Sequence, residues 1–169
     1  MKTPICSFDA KTGILCTKCE SKLKSGHLSN GDIEASVKLT KLAEENTTID
    51  KFTLNGAYKI DQDLVIVLPS SDISIIRSDD NLLKKIQKEF NDNIWFIENG
   101  ATEKRFIENL LYPTKIYSLN LVWLPDGNKL TKIVIVEKKN NHKPLEDHKI
   151  KKIANRVKNI ELLIEYIKK

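Results

Sequence analysis

The stretch that most limits the possible folds is residues 70–98, SSDISIIRSDDNLLKKIQKEFNDNIWFIE. Leu82, Leu83, Ile86 and Phe90 recur at three- and four-residue steps, the spacing of one buried helix face. Ile94-Trp95-Phe96-Ile97 is an apolar, β-prone run too short for a helix, and Asn91-Asp92-Asn93 precede it. Ahead of both lie a short helical turn and a tight loop, Arg77-Ser78-Asp79-Asp80. A fainter copy stands near the C-terminus, where Ile150, Ile153 and Val157 lead into Asn159-Ile160-Glu161-Leu162-Leu163-Ile164. A chain that repeats helix, turn and strand is built from two like units.

The intervening segments extend the repeat. Residues 29–46 predict a helix with Ile33, Val37, Leu39 and Leu42 on its apolar side; Ser29 followed by Asp32 is a capping-box pattern. Residues 51–60 predict a strand with a bend at Asn55-Gly56, and 64–68 (LVIVL) a buried central strand ended by Pro69. In the second half, 101–111 predicts a helix stopped by Tyr112-Pro113. Residues 115–124 and 130–136 predict a hairpin around Pro125-Asp126-Gly127-Asn128. A polar loop, 138–143, then leads through Pro144 to a helix over 145–158 and a closing strand over 160–166. Residues 159–169 also satisfy helical spacing, but the parallel with 93–98 favours a strand.

All three cysteines, Cys6, Cys16 and Cys19, lie among the first 19 residues. Cys16-x-x-Cys19 has the gap that lets two thiolates reach one tetrahedral zinc. Cys6-x-x-Asp9 would form the other half, with Asp9 or His27 as fourth ligand. The same segment could instead hold its shape without metal, on Ile5, Ile14, Leu15 and Leu23, or serve as a redox pair. A helix is expected over 20–24, stopped at Ser25-Gly26.

Charge is unevenly placed. Residues 138–169 hold ten basic and four acidic side chains, a balance of +6 within a whole-chain net of +5. Such a segment suits an anionic partner, most often nucleic acid, or a solvated helix face. Neither a phosphate-binding glycine loop nor a nucleophile–base set is spaced for catalysis, so an enzyme is not expected. His142 and His148 sit among lysines and are expected to be solvated. Trp95, Phe96 and Trp123 could stack on bases, although aromatics on short strands more often belong to the core. No apolar run is long enough to span a bilayer and the N-terminus lacks a signal-peptide core, so a cytoplasmic protein with no membrane partner is the expectation.

Pro4-Ile5-Cys6, Lys11-Thr12-Gly13-Ile14-Leu15-Cys16-x-x-Cys19 and Lys22-Leu23, with the 64–68 strand, the helix pair and the Leu124-Pro125-Asp126-Gly127 turn, give the chain its resemblance to a known family. It resembles the short archaeal NusA-like proteins, in which a cysteine knuckle precedes KH-type sequence. The resemblance implies an α+β fold of tandem type II KH-like units (αββααβ twice) after a zinc-knuckle-like segment. The division would be 1–28 for the knuckle, 29–99 for the first unit and 100–169 for the second. It implies an RNA-binding accessory factor associated with transcription elongation or termination, with single-stranded RNA as partner and a zinc ion held by Cys6, Asp9, Cys16 and Cys19. The RNA-contacting residues would be Arg77, Ser78, Lys84 and Lys85 in the first unit, and Lys149, Lys151, Lys152, Arg156 and Lys158 in the second. The family's Gly-x-x-Gly loop falls on Arg77-Ser78-Asp79-Asp80, and Pro144-Leu145-Glu146-Asp147 is its counterpart, so both lack glycine. The alternative is a protein-interaction module on RNA polymerase or the ribosome whose KH units have lost RNA binding.

Overall fold

The computed structural model describes residues 1–137 and 146–168. Two compact units divide the chain, Met1–Gly100 and Ala101–Lys169.

The first unit opens with two short helices, α1 (Ser7–Thr12) and α2 (Thr17–Lys24), followed by the long α3 (Asn30–Glu45) and a single turn, α4 (Thr47–Asp50). Then come β1 (Gly56–Ile60), β2 (Asp63–Leu68), α5 (Ser70–Ser78), α6 (Asp80–Glu89) and β3 (Asn93–Glu98). The sheet order is β1-β2-β3, with β1 antiparallel and β3 parallel to the central strand. Leu64 and Ile66 of β2, Ile73 and Ile76 of α5 and Leu82 and Ile86 of α6 close the core with Ala35 and Leu39 of α3. Each large apolar side chain taken fully out of water in this way stabilises the fold by about 1.5–3 kcal/mol.

Helix α3 begins at Ser29, and the expected capping box is present. The Ser29 hydroxyl accepts from the Asp32 amide at 3.0 Å, and the Asp32 carboxylate accepts from the Ser29 amide at 2.7 Å. The same two side chains tie the helix to β1. Asp32 accepts from the Ala57 amide at 2.7 Å, and the Ser29 hydroxyl donates to the Ala57 carbonyl at 2.9 Å. The approach is so close that a Cβ on Gly31 would lie 2.8 Å from the Ala57 carbonyl oxygen. Glycine is required here by the backbone of β1, not by turn geometry.

The expected strand over 51–60 starts only at Gly56. Phe52 and Leu54 are buried, which is what makes the segment look like a strand, but their backbone bonds go elsewhere. The Thr53 amide donates to the Asp72 carboxylate at 2.9 Å and the Leu54 amide to the Lys2 carbonyl at 2.9 Å.

The second unit runs α7 (Glu103–Leu111), β4 (Ile116–Trp123), β5 (Lys129–Glu137), α8 (Asp147–Lys158) and β6 (Glu161–Lys168). Its sheet repeats the first: order β4-β5-β6, with β4 antiparallel and β6 parallel to the centre. The closing segment is therefore a strand, as the repeat implied, running Glu161–Lys168 where 160–166 was expected. Asn159, left-handed at φ 52°, ends α8 and frees the chain to turn into β6. The αββααβ order is not reproduced in full, because one helix, α8, stands between β5 and β6 among the described residues. The loop over 138–143, with His142 and the Pro144-Leu145 start of the expected helix, lies outside the described residues; His148 is exposed. Thr102 caps α7 by accepting from the Arg105 amide at 3.3 Å, so that helix begins two residues later than expected.

Candidate metal centre and nucleic-acid interface

The cysteine segment is two copies of one device. Cys6 is the N-cap of α1 and Asp9 its third residue; Cys16 is the N-cap of α2 and Cys19 its third residue. N-cap and third-residue side chains converge over a helix start, as in a capping box. Gly13, left-handed at φ 72°, ends α1 and turns the chain back so that the two helix starts face each other. The result brings one ligand atom each from Cys6, Asp9, Cys16 and Cys19 to within 4.8 Å of one another. His27 is exposed, its Nδ1 lying 2.7 Å from the Ser25 hydroxyl, and stands apart from this group; Asp9 is the fourth member.

The carboxylate of Asp9 is fully buried. Its Oδ2 accepts from the Cys16 amide at 3.0 Å, while Oδ1 is buried with no hydrogen-bond partner. Leaving a buried acceptor unsatisfied costs about 1–3 kcal/mol, and more when it is charged. The Cys19 thiol and the Cys16 amide hold the Asp9 carboxyl down at about 2, against the opposing effect of burial. Although the Cys6 backbone favours its thiolate, Asp9, burial and Cys16 push the Cys19 thiol up to about 11. A set of three sulfurs and one carboxylate oxygen fits a tetrahedral divalent metal, whose donors stand about 3.7 Å apart around zinc. The orphaned Oδ1 is the atom such an ion would satisfy. Ile5, Ala10, Cys19 and Leu28 are buried around the cluster, with Leu15, Leu23, Ile33 and Val37 packed against them. Ile14 takes no part, being 70 % exposed.

The loop expected at Arg77-Ser78-Asp79-Asp80 is shorter than four residues. Arg77 and Ser78 complete α5, Asp80 opens α6, and Asp79 is the one residue between the helices. Its side chain accepts from the amides of Asn81 at 2.9 Å and Leu82 at 3.1 Å. Those amides are the donors that a glycine-bearing loop would leave to phosphate, and here a carboxylate already occupies them. The signal was present in the sequence, since Asp is a strong N-cap residue directly before the Leu82 periodicity.

Lys84 and Lys85 are exposed on α6. Along α8, Lys151 is half-buried and Arg156 exposed, while the Lys149 ammonium pairs with Glu146 at 2.7 Å. Lys152 is half-buried on the same helix. Lys158 serves the fold directly: its ammonium donates to the Ala101 carbonyl at 2.6 Å and lies 5.7 Å from the centre of the Phe106 ring. Of the three aromatics, Phe96 is buried and Trp95 half-buried, its indole donating to Asp63 at 2.9 Å; Trp123 is 70 % exposed. Among the described residues no helix is long and apolar enough to cross a membrane.

No family model matches the chain, and no curated protein matches it. Among solved structures, the crystal structure of APE1850 is similar over 77 % of this chain and 95 % of its own, at 14 % identity and a TM-score of 0.47. What the chain itself displays is two tandem three-stranded sheets flanked by helices, consistent with a KH-like α/β fold, with a Cys/Asp cluster of ligand-like geometry at the N-terminus.

Proposed function

We propose that the protein is an RNA-binding accessory factor of the NusA-like kind, associated with transcription elongation or termination. Its organisation would be a zinc knuckle over 1–28 and two KH-like units over 29–99 and 100–169. The observation that carries this reading is the sheet built twice. In each, an antiparallel hairpin is extended by a parallel strand, and in the second a lysine-rich helix delivers that strand. The type II KH arrangement has this order, and it binds single strands. Binding rests on Lys84, Lys85, Lys151 and Arg156 and is mainly electrostatic, with low sequence specificity. Filter-binding titration against single-stranded RNA is the test. Binding at low salt that fades at moderate salt is expected, and no binding at low salt overturns the reading.

Zinc is the metal that the donor set favours, in a closed structural site. One ion per chain in the purified protein, lost or weakened in Asp9→Ala, is the expected result of metal analysis.

One observation favours a second reading. With Asp79 bound to the start of α6, the first unit keeps the KH-like shape without an open phosphate site. The protein would then be an interaction module docking to RNA polymerase or the ribosome. Co-purification that survives nuclease treatment supports that reading over tethering through RNA.

A further inference from the structure

Strand β4, IYSLNLVW, lies at the edge of its sheet and carries no charged residue. Three of its large side chains face water: Tyr117 is 68 % exposed, Leu121 51 % and Trp123 70 %. Large apolar side chains left in water on one strand mark an interaction surface. The ladder pairs Leu121 with Thr131 and Trp123 with Lys129, so these two side chains share one sheet face, about 7 Å apart along the strand. Thr131 donates to Glu103 of α7 at 2.6 Å, which identifies this as the helix-bearing face. Tyr117 sits at an irregularity in the ladder between Ile116 and Ser118.

We infer that Tyr117 and Trp123, with Leu121 between them, form a platform on which bases of single-stranded RNA stack. This inference rests on the RNA-binding reading above and names a surface that reading did not. Stacking on rings held by a strand needs open ring faces in a positive field and no base-specific hydrogen bonds. The field is present: Ala101–Lys169 contains 15 basic and 8 acidic side chains, a net of +7, whereas Met1–Gly100 contains 13 and 15, a net of −2. Exposed Lys115 directly precedes the strand. Lys129, opposite Trp123, and Glu103 neutralise each other at 2.8 Å, and Asp126 of the adjoining turn accepts from the Asn128 amide at 3.0 Å. A polypeptide strand is the less suitable occupant. The irregularity at Tyr117 breaks the register that an added strand would need, a common protection of sheet edges, yet leaves the ring open.

The test is a titration of the full chain with a short oligouridine at low salt, following both oligonucleotide anisotropy and tryptophan emission. Quenching of the exposed Trp123 is expected. Tyr117→Ala and Trp123→Ala should each weaken binding about tenfold, with Trp123→Phe restoring most of it and the salt dependence unchanged. Because these side chains are exposed, the variants should fold, which circular dichroism checks. If the wild type binds but the Tyr117→Ala/Trp123→Ala double variant binds equally well, the platform is overturned while the RNA-binding reading stands. If the wild type binds nothing, both fall. Light scattering should show a monomer; a wild-type dimer that Leu121→Lys splits would make the strand a seam between two copies and overturn the inference.

Discussion

Asp9 and Asp79 are carboxylates at the starts of short helices, and their different degrees of satisfaction separate their roles. Asp79 spends an oxygen on two amides of its own helix. Asp9 spends one oxygen on the Cys16 amide and leaves the other buried and unpartnered among three sulfurs. Replacing Asp9 by Ala should therefore weaken zinc roughly tenfold or more, read by competition with a chromogenic chelator; outer groups around metal sites already contribute that much. At Asp79 two substitutions distinguish charge from capping. Asp79→Ala should cost about 1 kcal/mol of stability through the lost cap. Asp79→Ser keeps an acceptor and removes the charge, so it should raise RNA affinity with little change in unfolding midpoint. Placing glycine at Arg77 and Asp80 should not, because both lie inside helices and Asp79 would still close the amides. Equal RNA affinity for Asp79→Ser and the wild type would remove charge repulsion from the account.

At the scale of elements, helix α3 is positioned by Gly31, whose missing side chain lets it lie on β1. Gly31→Ala would drive a Cβ into backbone atoms of Ala57 and Lys59 that cannot swing aside. The expected cost is about 1–3 kcal/mol, read as a lower denaturant midpoint at unchanged slope. In the second unit Glu103 binds α7 to β5 through Lys129 and Thr131, which together hold its carboxyl below the ordinary value of 4.5. A carboxyl depressed by folding adds stability that is present above its unfolded value and lost as pH falls through its folded one. Unfolding midpoints of Glu103→Gln and the wild type should therefore converge on acidification below about pH 4.5. A constant gap at all pH values would contradict this.

Much at this scale was legible in the chain. The capping box at Ser29 and the central run at 64–68 each had several local signals pointing the same way, whereas the closing strand, whose spacing also fits a helix, was legible only through its parallel with 93–98. The Phe52–Leu54 segment was not, because its backbone pairs with Lys2 in an isolated parallel bridge and does not extend β1. Helices α1 and α4 have six and four residues, too few for a periodic stripe to show. The four metal-ligating candidates were legible from spacing alone, since two N-cap-plus-three pairs are local geometry. The exposure of Trp123 depends on its place at a sheet edge, which pairing between distant segments decides.

For the whole molecule, the division of charge is the strongest determinant of behaviour toward anions. With a net of +7 on one unit and −2 on the other, RNA binding should depend on the second unit and fall steeply with salt. Lys151→Ala and Arg156→Ala should each reduce the slope of log affinity against log salt by about 1. Lys158→Ala should act differently. Its ammonium holds the Ala101 carbonyl and the Phe106 ring, so its loss should show first in thermal stability. A variant with an unchanged melting temperature and a reduced salt slope would assign Lys158 to the nucleic acid instead.

Helix α3 serves two sides at once. Ala35 and Leu39 close the sheet core, whereas Ile33 and Val37 are roofed by the cysteine knuckle. If the cluster holds the proposed metal, stripping it would lift the roof without melting the sheet, and uncover a hydrophobic stripe on an otherwise intact protein. The apoprotein should keep its strand signal yet bind hydrophobic dyes and self-associate, a sticky folded species that dynamic light scattering would detect. An ion held there would act as a solubility latch as much as a structural brace.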